Sequence, residues 1–249
     1  MVRATLAGLR VPAVVSHVSA AVLHDLPLWG LPLRQVHVTR QPPARSGDEG
    51  RLRSHVARLA PEDVVLVDGT AVTSVARTVL DIARAVPFPA ALAVADAALA
   101  RDLTSPEELR AALDAGAGTR GSRSARRVVL AADRRSESVG ESRSRALMLD
   151  AGLPLPDLQV EVRRPDGTLI GRCDFGWREH DVVGEFDGRV KYGRLLSPGQ
   201  HPGDAVFEEK RREDALRDEG RGVVRWVWAE LATPGALIAR WTRALDRAR

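Results

Sequence analysis

Lysine is almost absent from this chain: Lys191 and Lys210 stand against 35 arginines in 249 residues. Guanidinium keeps its charge, whereas an ammonium loses its proton when its surroundings shift its pKa. The two lysines therefore mark places to look for chemistry, and both follow closely on Asp174, Glu185 and Asp187. Cysteine is rarer still. Cys173 alone excludes an intramolecular disulfide and a cysteine-rich zinc site. Aromatic residues make up 4% of the chain, which argues against a stacking platform for single-stranded nucleic acid. No uninterrupted apolar run reaches the roughly eighteen residues of a transmembrane helix, so no membrane partner is expected. Met1 to Pro12 lacks the apolar stretch and cleavage site of a secretory signal. Together these absences point to the cytoplasm.

What is present suits a globular protein with one large domain or two ordinary ones: 44% apolar and 28% charged residues. Net charge is +4, but its distribution is uneven. Residues 1–118 carry twelve arginines and twelve acids, and residues 146–249 sum to −1. Residues 119–145 hold eight arginines against three acids. Of these, Arg120, Arg123, Arg126, Arg127, Arg134 and Arg135 form a cluster of the kind that attracts phosphate backbones. An exposed arginine-rich linker and helix is the equally weighted structural reading.

The first half alternates short strands with helices. Strands are expected over Gln35 to Arg40 and Arg51 to Arg58, with a loop between them. A hairpin is expected to turn at Asp68-Gly69. Ser74 is placed to cap one helix, and Ser105-Pro106-Glu107-Glu108 reads as a capping box opening another. Gly116 to Ser124, with three glycines, reads as a boundary. The expected division is an α+β region over 1–118, a basic linker and helix over 119–136, and a second domain over 137–249.

That second domain reads as helix, three strands, helix, strand, helix. A hairpin meander followed by a helical crossover predicts an α/β (strictly α+β) fold: a C-terminal four-stranded mixed sheet flanked by helices, preceded by a smaller α+β domain. Glu185 and Asp187 interrupt the interior strand Val182 to Asp187 and, two residues apart, share a face. A hairpin closing through Arg178 and Glu179 would set Asp174 opposite Val183, diagonal to Glu185, so that three carboxylates converge. Like charges near a core need a cation or hydrogen bonds. Oxygen donors without histidine or thiol suit Mg2+ or Mn2+. Each residue also has an ordinary reading. Glu141 fits a capping box with Ser138, Asp187-Gly188 a turn, Lys210 a solvated charged helix, and Lys191 a loop.

Asp174, then Glu185-Phe186-Asp187-Gly188, with Glu141 on a preceding helix and a crossover helix leading to Val223–Trp228, resembles the PD-(D/E)XK nuclease superfamily. The closer resemblance is to bacterial proteins related to very-short-patch-repair (Vsr) endonucleases. It covers about residues 137–228 and implies a restriction-endonuclease-like core. It also implies metal binding by Asp174 and Glu185, with the Phe186 carbonyl and Glu141 as further ligands. The superfamily motif ends in lysine where this chain has Asp187. Either Asp187 is another ligand, or the lysine has moved to Lys191 or Lys210. One cysteine and six scattered histidines do not reproduce the zinc and catalytic residues of the repair enzymes, so mismatch repair is not implied. Ser16 to Ala21, the Gln35–Arg40 strand and Val72 to Thr78 resemble a second group, AbiEi-type antitoxin-like proteins, over about residues 14–115. Such proteins begin with a winged-helix DNA reader, and this chain is expected to start after it.

The expected activity is metal-dependent hydrolysis of phosphodiester bonds in duplex DNA. Asp174, Glu185, Asp187 and Glu141 would serve the metal, Lys191 or Lys210 the phosphate or the attacking water, and the arginine cluster the backbone. The alternative is a catalytically inactive nuclease fold acting as a DNA-binding or antitoxin-like regulator. A third reading is an adaptor whose acids merely pair with arginines. Trp226 and Trp228 read as core or interface residues, the latter for a protein partner or a homo-oligomer.

Overall fold

The structure, a computed structural model, describes residues 12–188 and 202–247. The expected catalytic role of Lys191 lies outside the described residues. The chain divides into two compact units, Met1–Val139 and Gly140–Arg249.

In the first unit the strands β1 (Val14–Val15), β2 (Val36–Arg40), β3 (Gly47–Glu49), β4 (Leu52–Val56), β5 (Val64–Val67) and β6 (Thr70–Thr73) form a mixed sheet. Its order is β3-β4-β2-β1-β6-β5. The β5–β6 hairpin turns at Asp68 and Gly69, both left-handed at φ +47° and +73°, as the two-residue turn requires. β3 lies where a loop was expected. Its three residues pair antiparallel with β4, too short and too polar to show a strand period.

Among the described residues this unit has the helices α1 (His17–Leu23), α2 (Val75–Ala85), α3 (Phe88–Ala100), α4 (Pro106–Ala115) and α5 (Ser122–Ala131). Ser74 caps α2 by accepting from the Arg77 amide, and Ser105 and Glu108 close the expected capping box on α4. Leu80, Ile82, Val94 and Leu109 form the core of this helical layer, and Ala125 and Val128 of α5 are buried in it. The 119–136 segment is thus part of the first unit's core rather than a linker. An alanine and a valine among arginines are small signals in the sequence, but each reaches 0–1% exposure.

Three histidines meet in this unit. His37 and His55 stand on the parallel pair β2 and β4, where His55 faces Thr39 and His37 faces Arg53. Val36, Val38 and Leu52 occupy the opposite side. His17 starts α1 with a left-handed backbone (φ +52°) and stacks on the His55 ring at 3.7 Å. Burial first, then the neighbouring charges of His37 and the arginines, pushes His17 down to about 3. Burial first, then the other histidines and Arg53, does the same to His55.

In the second unit, α6 (Val139–Asp150) precedes β7 (Asp157–Arg163), β8 (Leu169–Trp177) and β9 (Val182–Asp187). Then come α7 (Pro202–Asp218), β10 (Gly222–Val227), α8 (Trp228–Ala232) and α9 (Pro234–Asp246). The four strands form a mixed sheet in the order β10-β9-β8-β7, an antiparallel meander closed by a parallel β10. This is the expected C-terminal sheet. The last strand ends one residue earlier than its apolar run suggests, because Trp228 opens α8.

One sheet face carries Leu158, Phe175, Trp177 and Trp226 against Met148 of α6 and Leu237 and Trp241 of α9. The other carries Val162, Cys173 and Val183 against Leu216 of α7. Trp226 is 1% exposed, and its indole donates to Ser144 Oγ at 2.7 Å, so this large side chain is buried with its polar atom satisfied. Gly140 brings α6 close to β9: a Cβ there would lie 1.8 Å from the Phe186 ring. Among the described residues, no helix is long and apolar enough to cross a membrane.

Gly140→Ala is expected to cost about 1–3 kcal/mol in urea unfolding by forcing the Phe186 ring aside, whereas Gly235→Ala, in open space at the start of α9, should not lower stability. The histidine cluster sets an acid limit. The unfolded histidines take up protons near 6.5 while the folded His17 and His55 resist to about 3, so stability falls as pH drops below 6.5 and the loss completes near 3. In metal-free buffer, His55→Gln should flatten this part of the stability–pH curve.

Candidate functional site

The sheet of the second unit changes sides in its middle. Side chains two apart on a regular strand share a face, yet Cys173 and Phe175 belong to clusters on opposite faces. So do Leu158 and Val162, four apart. The slip occurs at Asp174 on β8 and at Gln159 on β7, whose φ is +55°. Both strands slip together, so Leu158 still pairs with Phe175 and Val160 with Cys173. Gln159 and Asp174 are therefore opposite positions.

β8 pairs with β9 through Phe175–Gly184, Gly176–Val183 and Trp177–Val182. The connection thus contains four residues, 178–181, with Asp181 left-handed at φ +46°. This corrects the expected register. Asp174 continues the ladder toward Glu185 itself, not Val183, because the turn is two residues longer. The even length preserves the shared face. β10 adds Arg225 directly opposite Glu185. A single polar row, Gln159, Asp174, Glu185 and Arg225, crosses all four strands.

The row is densely bonded. Asp174, half-buried, accepts from the Phe186 amide through Oδ2 at 2.8 Å. Glu185, 9% exposed, lies between two guanidiniums: Arg212 of α7 is 2.8 Å from Oε1, and Arg225 is 2.8 Å from Oε2. Arg225 also pairs with Glu213 at 3.0 Å. Glu141, in the first turn of α6 and 6% exposed, accepts from Gln159 Nε2 at 2.9 Å. Gln159 Oε1 is buried with no hydrogen-bond partner.

Asp187, at the end of β9, is exposed, as is Lys210 on α7. Phe186 turns its ring to the α6 side, edge-on to Trp228 at 5.1 Å. No three of the described carboxylates bring their oxygens within 4.8 Å of one another, so the expected three-carboxylate convergence is not drawn tight. Arginine surrounds Glu185 in its place. Sequence reading missed Gln159, Arg212 and Arg225. The available signal was the polar interruption of apolar runs, Leu158-Gln159-Val160 and Val224-Arg225-Trp226.

Whether a hard divalent cation fits can be judged from the donors. Asp174, Glu185 and Gln159 on the row and Glu141 on α6 offer oxygen donors that do not gather within 4.8 Å as three carboxylates, and the Gln159 carbonyl oxygen is buried without a partner. By donor type, oxygen is what Mg2+ or Mn2+ takes, and the nitrogen and sulfur that zinc favours are not among these donors. An ion there would share Glu185 with its arginines.

The arginine cluster divides. Arg120, Arg123 and Arg126 are exposed and make no ion pair among the described residues. The Arg127 guanidinium sits 3.7 Å over the Phe88 ring. Arg134 pairs with Asp102, and Arg135 with Asp133 at 2.7 Å.

Cys173 reports on the site's charge. Its thiol lies 3.6 Å from Glu185 Oε1, and burial first, then the Glu185 charge, pushes it up to about 12. The native thiol is expected to resist alkylation at pH 8, with full labelling only on unfolding, and Glu185→Gln should accelerate the reaction. Rapid labelling of the folded parent would contradict this environment.

The chain is similar to two curated Mycobacterium tuberculosis proteins, "Uncharacterized protein MT2308" of strain CDC 1551 / Oshkosh and "Uncharacterized protein Rv2248" of strain H37Rv. Each is 36% identical over 185 residues, which is 74% of this chain. The match covers 65% of the length of each relative. No protein-family model matches the chain, and no solved structure matches it.

Proposed function

We propose that the second unit is a divalent-metal-dependent nuclease hydrolysing phosphodiester bonds of duplex DNA. The observation that carries this reading is the partly buried polar row across the sheet, in which Asp174 accepts from the Phe186 amide next to the buried Glu185. It is supported by the element order, a helix, a three-strand meander, a crossover helix and a parallel fourth strand, which agrees with the nuclease fold that the Asp174…Glu185-Phe186-Asp187 spacing resembles.

Asp174 and Glu185 would hold Mg2+ or Mn2+, with Gln159 Oε1, Glu141 and the Phe186 carbonyl as the remaining oxygen donors. Such an ion supplies a Lewis acid for the phosphate and a bound water of lowered pKa. The protein's own contribution is electrostatic. Arg225 and Arg212, fixed by Glu185, take the place of the motif's lysine in offsetting charge that develops on phosphate. Guanidinium does not deprotonate, so their role is to hold charge, not to move a proton. Lys210 or Lys191 would serve the attacking water. Arg120, Arg123 and Arg126 would hold the backbone without reading sequence.

A second reading rests on a specific observation. Both Glu185 oxygens are already occupied by arginine, which favours a nuclease fold that binds DNA without cutting it. Nicking of supercoiled plasmid with Mg2+ or Mn2+ separates the two. Divalent-dependent nicking that falls about 100-fold or more in Asp174→Asn and Glu185→Gln, with DNA binding retained, supports the nuclease. Salt-sensitive binding with no nicking under either metal selects the regulator.

A further inference from the structure

We infer that His17, His37 and His55 form a binding site for a transition-metal cation of the zinc type. The site belongs to the first unit and does not rest on the nuclease reading. Each histidine offers one ring nitrogen, and the three nitrogens lie within 4.8 Å of one another. His37 Nδ1 and His55 Nε2 are 3.1 Å apart. Two imidazole nitrogens bound to one tetrahedral ion at about 2.0–2.1 Å stand roughly 3.3 Å apart, so this pair already has the required spacing.

The cluster is held from outside. Ser16 N donates to the His37 carbonyl, Thr39 Oγ1 donates to Ser16 Oγ at 2.8 Å, and the His37 amide donates to Ser19 Oγ at 2.9 Å. These bonds fasten the start of α1 to β2. The left-handed backbone of His17, unusual for a residue other than glycine, turns its ring onto His55. Without an ion the close His37–His55 pair shares a single proton, and His17 is held through Nδ1, 3.0 Å from Ser16 Oγ.

A second observation points to a missing positive charge. Asp81 is 4% exposed, and its Oδ2 is buried with no hydrogen-bond partner, 4.0 Å from His17 Nδ1. Its other oxygen takes Arg77 at 3.0 Å and Arg84 at 3.5 Å. A carboxylate behind a metal-bound histidine orients the ring and strengthens it as a ligand. Of the surrounding cations, Arg77 also pairs with Asp63 at 2.8 Å, and Arg53 stands across from Asp48 in the β3–β4 ladder. Three imidazoles select Zn2+, Co2+, Ni2+ or Cu2+ over Mg2+ and Mn2+, so the site is chemically distinct from the carboxylate row.

The test is calorimetric titration of Zn2+ and Co2+ into the chelator-stripped full chain in excess Mg2+. The expected result is one saturable site with visible cobalt ligand-field bands. It should be lost in His37→Gln and His55→Gln, weakened about 10–100-fold in Asp81→Asn, and unchanged in Glu185→Gln. Imidazole 15N shifts of the parent give a readout that no variant's folding can disturb: one equivalent of Zn2+ should move His17, His37 and His55 together. Absence of saturable binding in the parent, or shifts confined to other histidines, would overturn the site.

Discussion

Glu185 is the constraint around which the second unit is arranged. A carboxylate 9% exposed in the middle of a sheet is costly unless charge and hydrogen bonds answer it. Here the answer comes from two separate elements, Arg225 on the neighbouring strand and Arg212 on the crossover helix. The ion pairs therefore fix more than an acid. They tie β9 to β10 in register and anchor α7 over the sheet, where Leu216 closes the apolar side. Removing the acid would leave two guanidiniums facing each other, and removing either arginine would leave charge under-compensated. Such a cluster is poor economy as a pure stabiliser, since apolar residues of similar volume often do as well or better.

The paired slip at Gln159 and Asp174 serves the same site. Regular alternation keeps every second side chain on one face, so an acid flanked by Cys173 and Phe175 would have both neighbours on a common side. Shifting both strands by one residue leaves the ladder intact while Cys173 turns to the α7 face and Phe175 to the α6 face. Asp174 occupies the transition, where its carboxylate reaches the Phe186 amide of the next strand. Gln159, forced left-handed, reaches Glu141 on α6. The row thus connects with α6 at one end and with α7 at the other.

Sequence patterns carried the elements much further than the contacts. Capping residues, the Asp68-Gly69 turn and the meander with its crossover were legible because each depends on neighbours a few positions away. That Asp174 and Glu185 interrupt the middle strands was legible because carboxylates within an apolar run stand out. Three features were not. The register of β8 on β9 depended on whether Asp181 adopts a left-handed backbone, which lengthens the turn. The arginines that hold Glu185 come from 27 and 40 residues further along (212 − 185; 225 − 185), and arginine is too common here for any one to stand out. The basic segment after Gly116 was read by its charge, whereas two small buried side chains decide where α5 lies.

The scarcity of lysine gains a physical meaning beside these arginines. Lysine at the end of the nuclease motif can act as a point charge or, when its pKa falls, as a base. A bidentate guanidinium cannot take the second role but holds a carboxylate and a phosphate in fixed orientation. If the row acts on phosphodiesters, the arginines are left with charge alone, and proton transfer falls to a bound water with a carboxylate or with one of the two lysines. An arginine pair that only neutralises Glu185 supports binding. An arginine pair that yields one oxygen of Glu185 to a cation, while keeping its hold on the other, supports cleavage. The difference lies in which partner Glu185 prefers, and the 2.8 Å contacts on both of its oxygens make that competition the decisive property of the site.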